Sequence, residues 1–184
     1  MKNRKTAANI IIAAIISLTV TGCTPKQDIL QYQQLPANIR LTLTLEDDEY
    51  QLNISLKAAT DKEIPSASEF GREGATIAVQ SPESTANTVY EFDPSGIYPI
   101  SGEVKIPLNP TDVTGLYPLL RCFNVSADDL TAIASAPPVT VAEFHTRDGA
   151  LTVHLDANGL PTRFELTGPH AFTAKITSYE TAMK

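Results

Sequence analysis

Two thiols, three imidazoles and two acidic turns are the groups in this chain best equipped for chemistry. The thiols are Cys23 and Cys122, and the imidazoles are His145, His154 and His170. No histidine stands four residues from another metal-ligating side chain, and no H-E-x-x-H segment occurs, so the spacing builds no zinc site. Gly-x-Ser-x-Gly, a Gly-rich phosphate loop and Cys-x-x-Cys are all absent. The sequence therefore predicts no catalytic residues, no metal and no cofactor, and a protein that is not an enzyme. Asp47-Asp48-Glu49 groups three carboxylates, but a calcium loop needs ligands at alternating positions and a glycine, so these residues read as a solvated turn. Asp156-Ala157-Asn158-Gly159 carries the same residue types, and hairpin geometry accounts for them.

Cys23 has the most telling surroundings. Lys2, Arg4 and Lys5 open the chain, an apolar run extends from Ala7 to Val20, and Val20, Thr21 and Gly22 lead directly into Cys23. A basic start, an apolar stretch of roughly 7–15 residues and a small-residue cleavage site define a secretory signal. The run is shorter than the ~20 residues of a membrane-spanning helix. The segment resembles the lipobox of bacterial lipoproteins, with Val20, Thr21 and Gly22 at the cleavage site and Cys23 as the lipidated residue. That resemblance implies a diacylglycerol anchor with two or three acyl chains, each buried CH₂ contributing ~0.8 kcal/mol. The expected organisation is a signal peptide at 1–22, a lipid anchor and tether at 23–37 rich in Pro and Gln, and a single β-rich domain at 38–180. The expected location is the extracytoplasmic face of the cell membrane.

Cleavage before Cys23 leaves 162 residues, enough for one domain with a real core. The formal charge of −7 becomes −10, because the signal carries three cations and no anion. An acidic domain disfavours nucleic acid and anionic headgroups, both of which need basic patches. With Cys23 consumed by lipid, Cys122 is left unpaired in the apolar run Leu119-Leu120-Arg121-Cys122-Phe123, which predicts a buried, unreactive thiol. Packing alone must hold the domain together.

Hydrophobic periodicity supplies the elements. Ile39, Leu41, Leu43 and Leu45 alternate with polar residues, and Tyr50, Leu52, Ile54 and Leu56 do the same after an acidic turn, which predicts an antiparallel hairpin with one apolar face. Val104 and Ile106 continue that face in a later strand, and so do Leu151 and Val153, Phe164, and Phe172. In Leu151–Leu155 the alternation puts His154 on the opposite side from this apolar face. Between the two groups of strands, apolar spacing of three and four residues after Asp112 and after Ser126 predicts two short helices, about 112–122 and 126–135. The expected fold is mostly β, with two short helices (α+β): a curled antiparallel sheet or half-barrel of about eight or nine strands. A sheet this long must bury one face, and two short helices in its opening cover only part of it.

The run Leu151-Thr-Val-His-Leu-Asp-Ala-Asn-Gly-Leu-Pro-Thr-Arg-Phe-Glu-Leu166, with Ile97 to Leu108 and the Asp-started helix after it, resembles the lipoprotein-carrier superfamily of bacterial envelopes, the LolA/LolB-like lipoprotein localisation factors. It is most similar to small lipoproteins of Gram-positive anaerobes. The resemblance covers about residues 38–179. It implies a non-enzymatic binder or carrier of a lipid or other amphiphile, with the apolar sheet face as the lining. The alternative is an interaction lipoprotein with a packed core that docks another envelope protein.

Overall fold

A computed structural model describes residues 28–58, 74–83, 85–86, 88–93, 96–101, 104–105 and 116–181. The expected signal peptide with its expected cleavage residues Val20, Thr21 and Gly22, Cys23, which is expected to carry lipid, and Ile106 lie outside the described residues.

Among the described residues eleven strands form one antiparallel sheet. The first six run in order: β1 (Ala37–Leu45), β2 (Asp48–Leu56), β3 (Ala75–Ser81), β4 (Val89–Asp93), β5 (Gly96–Ser101) and the short β6 (Val104–Lys105). A helical segment follows, comprising α1 (Leu116–Arg121) and 3-10 turns at Cys122–Asn124 and Ala127–Asp129. Five more strands complete the chain: β7 (Leu130–Ala136), β8 (Val139–Thr146), β9 (Gly149–Leu155), β10 (Pro161–Thr167) and β11 (Phe172–Thr181). Each group is a meander, and the two join where β1 pairs with β11. The sheet is curled and unclosed, with β6 and β7 at its two edges. The helical segment is therefore part of the connection from one edge to the other.

The pairing register explains the core. Leu41 faces Leu52, and Leu52 faces Val79; Ile39 faces Ile54, and Ile54 faces Ile77. On the other side, Leu43 faces Ala174, Ala174 faces Phe164, Phe164 faces Val153, and Val153 faces Ala142. A period-2 pattern matched from strand to strand puts every one of these side chains on the same face. All of them are buried.

The structure departs from several expectations. Residues 126–135 do not form a helix. Ser126 does cap a helical turn, accepting from the Asp128 amide at 3.2 Å, but the turn ends at Asp129 and the chain continues as β7. β-branched Thr131 and Ile133 favour that extended conformation, and pairing with β8 secures it. The first expected helix is described over Leu116–Arg121 and passes into the Cys122–Asn124 turn, and residues 112–115 of its expected span lie outside the described residues. Part of the expected tether belongs to the fold: Asp28–Gln33 is a 3-10 helix whose Ile29 and Tyr32 are buried, and β1 begins at Ala37. Among the described residues the strand count is eleven against the eight or nine expected, with β7 standing where a helix is expected.

The β1–β2 turn is also tighter than the acidic run suggests. Leu45 pairs with Asp48, so the loop is Glu46-Asp47, with Glu46 at φ 53°. Asp48 and Glu49 already belong to the strand, and all four acidic side chains are exposed.

Candidate functional site

The apolar face predicted from alternation is assembled as one surface. Leu41, Leu43, Leu52, Ile54, Leu56, Leu151, Val153, Phe164 and Phe172 are all buried on it. Val104 lies in β6 at the sheet edge.

The helical segment lies across this face. Tyr117 meets Phe92 of β4 with ring centroids 5.9 Å apart, and Phe123 meets Phe164 of β10 edge-to-face at 4.9 Å. These two contacts stand on opposite halves of the sheet, so the segment bridges the halves. Leu119, Leu120 and Phe123 have no exposed surface, as expected of side chains that fill the concavity. Edge-to-face aromatic pairs add about 0.5–1.5 kcal/mol beyond area burial.

Two clasps fix the segment in place. The first comes from the chain's N-terminal side. The Tyr32 hydroxyl donates to the Cys122 carbonyl at 3.3 Å, and the Tyr179 hydroxyl donates to the Tyr32 carbonyl at 2.9 Å. The Gln33 carboxamide is buried against Val125, donating to its carbonyl and accepting from its amide, each at 3.1 Å. Burying that amide costs little only because both its ends are satisfied. The second clasp is ionic. Arg121 Nε donates to Asp148 Oδ2 at 2.6 Å and its Nη2 donates to Oδ1, while the guanidinium lies 5.2 Å from the Tyr117 ring centroid. Asp148 is presented by the β8–β9 turn, where the Thr146 hydroxyl accepts from the Asp148 amide and donates to the Gly149 carbonyl.

Between this ion pair and the sheet lies a cleft of about 350 Å³. Cys122, Val125, Leu151 and Leu166, all buried side chains, contribute its apolar part. Arg121, Asp129, Arg147 and Asp148 contribute charge. A second cleft, about 480 Å³, lies between Ile29, the Pro137-Pro138 turn, Leu155 and the Asp156–Gly159 turn. Small-ligand pockets start at about 300 Å³, so both are large enough to hold one. An apolar floor under a charged rim suits a molecule with an apolar body and a polar head.

Cys122 sits in the wall of the first cleft as a buried thiol that donates to the Pro118 carbonyl at 3.2 Å. Burial pushes its pKa well above the ordinary thiol range, and the Asp148 carboxylate adds to that rise. It is a packing residue, as its apolar neighbours predict. His154 lies on the outer face, bonded through Nε2 to Glu165 Oε1 at 2.9 Å, with Arg163 Nε on the same carboxylate oxygen at 3.1 Å. Among the described residues no three His, Cys, Asp or Glu side chains are placed to hold a metal ion. No described helix is long and apolar enough to cross a membrane.

The sequence reading missed both clasps. An arginine inside the apolar run 119–123 is the one local signal for the ion pair, since such a residue needs a partner. Asp148 is 27 residues away, and nothing local joins the two. Tyr32 and Cys122 are 90 residues apart, and the surrounding glutamines disguise Ile29 and Tyr32 as part of a tether.

No protein-family model matches the sequence, and no curated protein matches it. Solved structures do share its fold. MucB is 13% identical with a TM-score of 0.51, over 85% of this chain and 57% of MucB, so the chain spans little more than half of that protein. MucB has also been solved in complex with MucA(peri). An uncharacterised conserved protein from Thermus thermophilus is 11% identical with a TM-score of 0.49, over 86% of this chain and 85% of that one. NE2245 from Nitrosomonas europaea, a LolA superfamily protein, is 12% identical with a TM-score of 0.43, over 86% of this chain and 94% of that one. At these identities the likeness is one of fold alone.

Proposed function

We propose that this chain is an extracytoplasmic lipoprotein, anchored through lipid on Cys23, that binds an amphiphile without chemically altering it. The observation that carries this reading is the cleft beside the helical segment: Leu151, Leu166, Val125 and Cys122 offer apolar contact, and Arg121, Arg147 and Asp148 add charged side chains to the same lining. The apolar sheet face covered by the segment supports it further, since displacing residues 116–125 would extend the same lining. The 3-10 helix at Asp28–Gln33 comes only a few residues after Cys23, which would keep the domain near the bilayer.

Native mass spectrometry of the full chain incubated with a bacterial lipid extract tests the reading. Retention of a lipid by the protein, and its loss on Leu166→Trp, which fills the cleft floor, is the expected result. A protein that retains no amphiphile at any loading, with the fold intact, would end this proposal.

A second reading has one specific support. MucB, which shares the fold, has been captured with a protein partner. On that reading the packed concavity is structural and the domain docks another envelope protein. In-cell cross-linking separates the two: one abundant protein adduct together with no retained lipid favours docking.

A further inference from the structure

The edge of the sheet at β7, unpaired among the described residues, carries an inference independent of the ligand reading. Residues 130–142 contain no charged side chain, in a protein of net charge −7. Thr131 through Ala136 are all exposed, and Ile133 and Val139 are 38% and 41% exposed. Among the described residues, β7 pairs only with β8. Edge strands usually carry lysine, proline, a buried charge or a β-bulge to block pairing with another chain; β7 has none of the first three between Leu130 and Ala136, and its one irregularity, between Leu130 and Ala132, lies at the start of the strand. An unpaired row of N–H and C=O groups on such an edge is a template for strand addition.

The sequence of the strand specifies which partner fits. Leu-Thr-Ala-Ile-Ala-Ser-Ala reads alike in both directions by chemical type. An antiparallel copy centred on Ile133 sets Ile133 against itself, Ala132 against Ala134, Thr131 against Ser135 and Leu130 against Ala136. Small faces small, hydroxyl faces hydroxyl, and no like charges meet, as a two-fold interface requires. The packing points the same way. The cross-strand row Phe164–Val153–Ala142 ends on Ile133, which is the first member of that row with substantial exposure. A second Ile133 would continue the row across the axis.

The geometry points to a homodimer formed by antiparallel β7–β7 pairing about Ile133, joining two sheets into one. The occupant is a second copy of this chain. The test is cysteine cross-linking of the full chain in its membrane, with an oxidant that joins thiols. Ile133→Cys places two thiols directly opposite each other, within the ~4.4–6.8 Å Cα spacing a disulfide accepts. Asn53→Cys, exposed on the outer face of β2, is the control, and native Cys122 is buried. The expected result is a covalent dimer from Ile133→Cys at least ten times as abundant as from the control. In sedimentation of the detergent-solubilised chain, Ile133→Lys should shift a concentration-dependent dimer to monomer, with the far-UV spectrum unchanged. Equal cross-linking of the two cysteine variants would overturn the proposal. So would a wild-type chain that stays monomeric up to several hundred micromolar, or an Ile133→Cys adduct only to a different protein.

Discussion

Arg121 and Asp148 form a two-pronged ion pair that ties the helical segment to the β8–β9 turn. Both side chains are mostly buried, at 19% and 12% exposure. Removing one partner leaves the other charge desolvated and unpaired, which costs about 3–5 kcal/mol in well-buried cases and less where water still reaches. Asp148→Ala is expected to lower stability by about 2–3 kcal/mol on that scale, and the double variant Arg121→Met/Asp148→Ala should recover part of the loss. Urea unfolding of the wild type, Arg121→Met, Asp148→Ala and the double variant checks it. An additive double variant would mean that the pair contributes no coupling.

Gly149, next to Asp148, sets the shape of that turn. Its φ is +137°, and a Cβ there would collide with the Thr167 carbonyl oxygen. Backbone on both sides would have to move, so Gly149→Ala should cost upward of about 4 kcal/mol, in the exceptional range for a single substitution. Gly159 offers the contrast. Its φ is +75°, and nothing lies within 4 Å of its added Cβ. Gly159→Ala should cost only about 1–2 kcal/mol, from the left-handed backbone alone. Thermal unfolding midpoints of the two variants should therefore differ widely, and similar values would mean the close approach to Thr167 is absent.

The Asp156 carboxylate organises the β9–β10 turn. Its Oδ1 accepts from the Asn158 amide at 2.8 Å and from the Leu160 amide at 2.9 Å. Asp156→Ala removes both bonds, and a loss of about 1–2 kcal/mol is expected, on the scale of a helix cap. Asp156→Asn keeps an acceptor and should retain most of the stability. Equal losses from both variants would shift the effect to charge.

How much of this was legible in the chain follows from where the signals live. Alternation in 39–45, 50–56, 151–155 and 172–176 is a local property, because each of these strands buries one face and exposes the other. Leu41, Leu43, Leu52, Ile54, Leu56, Leu151, Val153 and Phe172, which it picks out, are buried. β7 is an edge strand exposed on both faces, so no alternation marks it, and Leu130, Ile133 and Ala134 mimic helical spacing. Only pairing with β8 decides its conformation. The 3-10 helix at 28–33 shows the same limit: its two buried residues, Ile29 and Tyr32, sit among glutamines, and the partners of Tyr32 lie at Cys122 and Tyr179. The cleft wall likewise joins residues 121–125 to 148–166, a relation that exists only once the meander closes over the segment.

Cys122 gives a pH-dependent prediction. Its thiol pKa is raised in the folded protein, first by burial and then by Asp148. The unfolded chain ionises near the ordinary value of about 8.5 while the folded chain keeps its proton. Above that pH the unfolded state binds fewer protons, so stability falls as pH rises, by up to about 1.4 kcal/mol per unit. Below about pH 8 both states are protonated and the contribution vanishes. Urea unfolding at about pH 7 and about pH 10, either side of the ordinary thiol pKa, should show this drop in the wild type and a smaller one in Cys122→Ala. A thiol reagent at about pH 8 should leave Cys122 unmodified until urea unfolds the domain. Rapid labelling of the folded protein at this residue would contradict its burial.

Cys23→Ala tests the anchor. If lipid on Cys23 holds the protein at the membrane, the variant should leave the membrane fraction or accumulate as an uncleaved precursor. The domain itself should stay folded, because the buried residues Ile29 and Tyr32 that tie its N-terminal side to the core come after the altered position. Residues 23–27 reach at most about 18 Å when extended, at ~3.3–3.6 Å per residue, so a lipidated wild type holds its 3-10 helix close to the headgroups. Fractionation with a protease-protection assay reads location, and the thermal midpoint of the purified variant reads folding. A correctly cleaved Cys23→Ala protein that stays in the membrane would mean that something other than lipid on Cys23 holds it there.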